Sequence, residues 1–160
     1  MKKTMDRADV TLREVSPREK LDELISLSED WENEHSCHGY RKNGPEDILP
    51  YRVFLAENGR GVAGYLFGKV CIAKEASSVL PKGTAYFEVE ELYVIPSERS
   101  KGIGGRLFAY AEECVRAEAE YVLLSTATKN WRAILHFYID EMGMDFWNAR
   151  LFKRIRGKDV

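Results

Sequence analysis

Apolar residues fall at alternate positions from Val10 (Val10, Leu12, less cleanly Glu14), and this spacing predicts a first strand over 10–15. Ser16-Pro17-Arg18-Glu19 then reads as a helix start, with Ser16 at the N-cap, Pro17 at the first helical position and Glu19 reaching back as a capping box. Leu21, Leu24, Ile25 and Ser28 give that helix one stripe to bury. Residues 29–50 are polar and irregular, with a short second helix expected near Pro45. The runs 52–58 and 62–73 flank Gly59-Arg60-Gly61, a hairpin signal. Beyond a loop over 74–84, residues 85–95 are rich in β-branched and aromatic side chains and form a strand that Pro96 ends.

From Gly104 the apolar period lengthens. Leu107, Ala111, Cys114 and Val115 fall at helical spacing, with Arg106, Glu112, Glu113 and Arg116 outside. Residues 121–126 (YVLLST) are almost wholly apolar, as expected of a strand buried on both faces. Asn130 can cap a further helix that carries Ile134, Leu135, Tyr138 and Met142 and stops at Gly143. Residues 146–155 read as a final strand or hairpin whose aromatics cover the sheet. The strand-helix-strand unit from 85 to 126 implies two parallel strands after an antiparallel meander, hence an α/β fold with a mixed sheet and helices on both faces.

A length of 160 residues suits a single domain over 1–160, and 44% hydrophobic residues with 3 Trp, 8 Tyr and 7 Phe can fill its core. The formal net charge of −2 disfavours a nucleic-acid partner, which would demand a basic excess. Cys37, Cys71 and Cys114 are an odd number at wide spacing, so no disulfide framework is expected. Residues 1–7 are charged and lack the apolar stretch of a signal peptide, and no window approaches the roughly 18 apolar residues of a membrane span. A cytoplasmic protein without a membrane partner is the expectation.

The segment that carries chemistry runs from Glu88 to Leu107: a strand enters a glycine-bearing turn, and the turn opens a helix. A helix N-terminus leaves about four amides unpaired and suits phosphate. Gly102, Gly104 and Gly105 permit close backbone approach, and Arg99 and Lys101 add mobile cations, so a pyrophosphate is the natural ligand. The site is not a P-loop, because Gly105-Arg106-Leu107 stands where Gly-Lys-Ser/Thr is needed. Nor is it a dinucleotide fingerprint, whose sixth position would be glycine and here is Leu107.

What remains is Arg-x-x-Gly-x-Gly at Arg99, Gly102 and Gly104, directly after a Leu-Tyr-Val-Ile-Pro strand end. With YVLLST as the next strand and an Asn-x-x-Ala…Phe-Tyr helix, this resembles the acyl-CoA pyrophosphate loop of the GNAT acyltransferase superfamily. The resemblance covers residues 10–155 in element order and 88–143 in specific motifs. It implies a central, mostly antiparallel sheet splayed between its two parallel strands, with acetyl-CoA as co-substrate and no metal. It also implies pantetheine beside Leu92, Tyr93 and Val94, the Val94 N–H polarising the thioester carbonyl. Pyrophosphate would lie on Arg99, Ser100, Lys101, Gly102, Ile103, Gly104 and Gly105, with Asn130 nearby, and Tyr138 would protonate the leaving thiolate. Three departures stand out: Ser100 replaces a frequent glycine, the Tyr138-to-Gly143 interval is one residue longer than usual, and Met144 replaces a frequent aromatic whose space Phe146 can fill.

Acyl transfer needs a neutral amine, and a carboxylate can take its proton. Alternation puts Glu88, Glu90, Leu92 and Val94 on one side, with Glu91 and Tyr93 on the other. By the resemblance the base stands at one of the two registers on the Val94 side, so Glu90 is the first candidate and Glu88 the second, with Glu91 a third if a bulge, common in this strand of the family, shifts the register. Plainer readings stand beside these: the glycines as a simple turn, the glutamates as a solvated strand face, Tyr138 as a core aromatic. His35, Cys37 and His38 lack a completing metal cluster. The acidic run Glu29, Asp30, Glu32, Glu34 either attracts a cationic acceptor or is a solvated helix end, and by the resemblance residues 29–50 build the acceptor pocket. The expectation is an N-acetyltransferase acting on a small-molecule or peptide amine, with pairing of two copies through the last strands by analogy. The alternatives are a non-catalytic acyl-CoA-binding module and transfer to a hydroxyl or a protein terminus.

Overall fold

The computed structural model describes residues 9–157, and the charged segment 1–7 lies outside them. Five strands, β1 (Thr11–Val15), β2 (Arg52–Asn58), β3 (Gly61–Ile72), β4 (Ala85–Val94) and β5 (Tyr121–Leu123), form one sheet in sequence order. All neighbours are antiparallel except β4 and β5, which are parallel. Helix α2 (Ile103–Val115) covers one face, burying Ile103, Leu107, Phe108 and Ala111 against Phe54, Leu66, Phe87 and Val89. Helix α1 (Leu21–Glu34) covers the other, over Val53, Leu55, Tyr65, Phe67 and Tyr93. Alternation along β2 and β3 thus feeds two cores through one sheet.

Three expectations need correction. Helix α1 starts at Leu21 after Lys20 rather than at Pro17, because the Glu19 carboxylate pairs with Arg13 on β1 (2.7 Å) instead of capping. The short helix expected near Pro45 is present, as a single 3₁₀ turn over Pro45–Asp47. The YVLLST run is not buried on both faces: its strand lasts three residues at the sheet edge, with Tyr121 exposed. Residues 146–155 form neither strand nor hairpin. Leu151, Phe152 and Ile155 are 94%, 81% and 89% exposed there, and Met144 rather than Phe146 packs on the core.

Candidate active site

β4 and β5 pair only over Tyr86–Glu88 and Tyr121–Leu123. β4 then runs on to Val94 with no strand on that edge among the described residues. Ile95 donates to the Ala63 carbonyl (2.9 Å), so Gly64 and Val94 form a non-hydrogen-bonded pair. Val94 therefore turns its own N–H and C=O away from β3, into the gap. The segment 36–38 closes the gap further on, where His38 donates to Ala127 and Lys129 to Ser36. The result is a groove of about 710 Å³, lined by residues of β4, the stretch 98–105, residues 124–130 and the last helix, a volume ordinary for a ligand site.

At one end of the groove, the chain makes a 3₁₀ turn at Pro96–Glu98 and passes through two left-handed residues, Ser100 (φ 62°) and Gly102 (φ 80°), into α2. Arg106 is the first amide of the helix to find an acceptor, the Gly102 carbonyl. Among the described residues the amides of Ser100 to Gly105 donate to nothing. Gly102 is required for its backbone angle, since open space surrounds its missing side chain. Gly105 packs closely under the last helix: a Cβ there would lie 3.2 Å from the Met142 methyl, which would have to give by a few tenths of an ångström. Ile103 is buried in the α2 core, so only its main chain is available to a ligand.

The two cations expected to be mobile are engaged. Lys101 pairs with Glu98 (3.0 Å). Arg99 grips Glu34 of α1 with both terminal nitrogens (2.7 and 3.0 Å), while its Nε donates to the Val94 carbonyl (2.8 Å). Half-burial works against ionisation of Glu34, but the hydrogen bonds from Arg99 and Tyr93 outweigh it and hold the carboxyl below its usual range.

A bulge rearranges the glutamates. Phe67 opposes Glu91 and Gly68 opposes Val89, so Glu90 has no partner on β3. Gly68 allows this approach, since a Cβ there would meet the Glu88 carbonyl oxygen. Upstream, Phe87 and Val89 face α2; downstream, Leu92 and Val94 do. Glu88 consequently lies on the α1 side with Glu91 and Tyr93, not with Leu92 and Val94 as simple alternation gave, and it stays outside the groove. Burial, then the charge of Glu90, raise the Glu88 pKa. Glu90, exposed at the bulge, lines the groove.

Glu91 also lines the groove, with its carboxylate sunk toward α1. Tyr65 donates to it (2.8 Å), as do Tyr40 (3.1 Å) and Asn43 (3.0 Å). Burial raises its pKa against the pull of these donors. Trp31 stacks between Tyr40 and Tyr93, with ring centroids 4.3 and 5.1 Å away. Sequence reasoning did not single out Tyr40, Asn43, Tyr65 or Trp31. Their only signal was the aromatic content of an otherwise polar 29–50 segment, and Tyr65 looks like any strand aromatic until the sheet assembles.

The last helix, α3 (Trp131–Leu135), passes into a π-helical turn over His136–Glu141, where Met142 donates to the Phe137 carbonyl five residues back. The extra residue between Tyr138 and Gly143 is absorbed in this wider turn. Asn130 sits at the N-cap position and lines the groove, but its side chain does not cap the helix. Tyr138 packs edge-on against Phe108 (5.8 Å), and its hydroxyl has no hydrogen-bond partner among the described residues. Burial pushes its pKa up to about 12. No group of three or more His, Cys, Asp or Glu among the described residues can hold a metal ion.

A family model described as an acetyltransferase (GNAT) domain matches residues 50–140. No match was found among curated proteins. Solved structures of similar fold include an aminoglycoside N-acetyltransferase in complex with CoA (16% identity, TM-score 0.65, covering 92% of this chain and 100% of that one). An aminoglycoside acetyltransferase from an uncultured soil metagenomic sample is 14% identical (TM-score 0.66, 92% and 99% covered). An acetyltransferase of Trypanosoma brucei is 16% identical (TM-score 0.63, 92% and 100% covered).

Proposed function

This chain belongs to the GNAT acetyltransferase family, and on that premise we propose that it transfers an acetyl group from acetyl-CoA to the primary amine of a small molecule, by direct attack in a ternary complex. The observation that carries the reading is the row of unpaired amides, Ser100 to Gly105, at the end of two splayed strands. Those amides and the α2 N-terminus suit a diphosphate, and the open edge of β4 suits an extended pantetheine arm. A cluster of unpaired main-chain donors at a helix N-terminus suits the negative charge of a diphosphate. Leu92, Tyr93 and Val94 border the arm, with the Val94 N–H set to polarise the thioester carbonyl.

The acceptor enters from the side of 29–50. Glu90, Glu91 and Glu141 line the groove and suit a cationic amine, as do the aminoglycoside substrates named for two of the similar structures. Glu90 takes the ammonium proton, the neutral amine nitrogen bonds to the acetyl carbon, and as the carbon–sulfur bond breaks Tyr138 gives its proton to the departing thiolate and regains one from the amide nitrogen, which sheds its second proton in becoming neutral. Glu91 is held by three donors and shapes the pocket instead. The free cysteines fit a reducing cytoplasmic setting. Isothermal titration should show acetyl-CoA binding, and a thiol-release assay over a panel of polyamines, aminoglycosides and peptides should show turnover with at least one amine. Absence of binding at millimolar acetyl-CoA would end the reading, and release with hydroxyl acceptors alone would redirect it.

A further inference from the structure

Arg99 carries the motif signature of a phosphate ligand, yet each of its three guanidinium nitrogens already makes one hydrogen bond inside the protein, three of its five N–H groups in all. Nε donates to Val94 O at 2.8 Å, and the two terminal nitrogens meet the two Glu34 oxygens at 2.7 and 3.0 Å. Tyr93 adds a third bond to the same carboxylate (2.8 Å), and its ring lies under the guanidinium at 5.4 Å. Glu34 is the last residue of α1. His35 follows in a left-handed conformation (φ 52°), and then comes the segment 36–38 that bridges the gap to 127–129. One carboxylate thus ties together the acceptor-side helix, the diphosphate turn and the open end of β4.

We infer that Glu34 and Arg99 are positioning residues for acetyl transfer: a strap that fixes the Val94 peptide so that its N–H points into the groove. The inference rests on the acyltransferase reading above. A residue in an extended strand directs its N–H and C=O to the same edge, so a donor held on the Val94 carbonyl also sets where the Val94 amide aims. Among the described residues β4 has no strand neighbour there to do this, and the Arg99 side chain takes that place. A bidentate guanidinium is planar and stiff, which suits it to fixing an angle, whereas lysine offers a single mobile ammonium. Diphosphate binding falls to the backbone amides, which need no side-chain cation.

The test compares the whole chain with Glu34→Gln, Arg99→Lys and the double variant, by steady-state turnover and by titration with CoA, which lacks the acyl group. Each single variant should lose about tenfold or more in kcat through a misdirected carbonyl donor. CoA affinity should stay within about twofold, and the double variant should be no worse than Arg99→Lys alone. A tenfold weaker CoA affinity with kcat preserved would make Arg99 a phosphate ligand and overturn the strap, as would additive losses in the double variant. Tyr93→Phe, which keeps the strap but removes one bond to Glu34, should lose less than Glu34→Gln; an equal loss would overturn the assignment. A wild-type chain that binds no acetyl-CoA would instead defeat the acyltransferase reading itself, a result separate from any of these.

Discussion

Tyr138 shows what burial does to one side chain. Desolvation raises its pKa to about 12, so the phenol keeps its proton well past the pH at which an exposed tyrosine ionises. Turnover limited by this acid should therefore hold through pH 10, and a decline centred near 10 would remove Tyr138 from the role. Tyr138→Phe should lower kcat by roughly 10²-fold while leaving CoA affinity unchanged, measured by thiol release and titration. Glu34 predicts a pH effect of defined sign. Its folded pKa is lowered, so the stability it adds is present above the ordinary carboxyl range and lost as pH falls through it. Denaturant melts of wild type and Glu34→Gln should differ at pH 7 and draw together as the pH is taken below the ordinary carboxyl range. Glu91 runs the other way: burial raises its pKa, so its contribution is greatest in acid and declines as pH rises. The residue types at 88–91, 99 and 138 were readable in the chain. That Arg99 is tied to Glu34 was not, because the two lie 65 positions apart and meet only when α1 packs on the sheet.

Among the elements, β4 decides most. Its motif end and its helix after Gly102 are legible as a strand-turn-helix pattern, since local periodicity and left-handed glycine act within a few residues. The bulge at Glu90 is not legible, because it depends on Gly68, on another strand, letting the backbones close together. Gly68→Ala would set a Cβ 2.2 Å from the Glu88 carbonyl oxygen, so the strands must part. We expect a loss of at least about 2 kcal/mol in urea denaturation, larger than for Gly59→Ala, which meets nothing within 4 Å. Equal losses would show that the bulge does not need the glycine. The π-helical turn after Leu135 was partly legible, as a helix one residue too long. Phe137 and Met142 of this turn lie against Gly104 and Gly105, a contact between segments that local spacing does not encode.

For the molecule as a whole, two helices on opposite faces of one mixed sheet follow from the order of periodic segments, whereas the end of the chain does not. Residues 146–155 have the apolar content of a strand, yet Leu151, Phe152 and Ile155 stand in solvent. Replacing those three by serine should shift Tm by no more than about 2 °C, because surface substitutions move stability little. A larger drop would mean that this segment is buried by a partner, such as a second copy of the chain, and sedimentation at several concentrations would detect one.

The alternation of strands and helices, the parallel pair and the glycine turn are legible along the chain. Each of these is written in spacings of a few residues, over which backbone sterics and side-chain period act. Tertiary structure alone decided which glutamate enters the groove, what Arg99 holds and where the sheet stops. Those outcomes depend on contacts between distant segments, and a change of one residue in strand register moves a side chain to the opposite face.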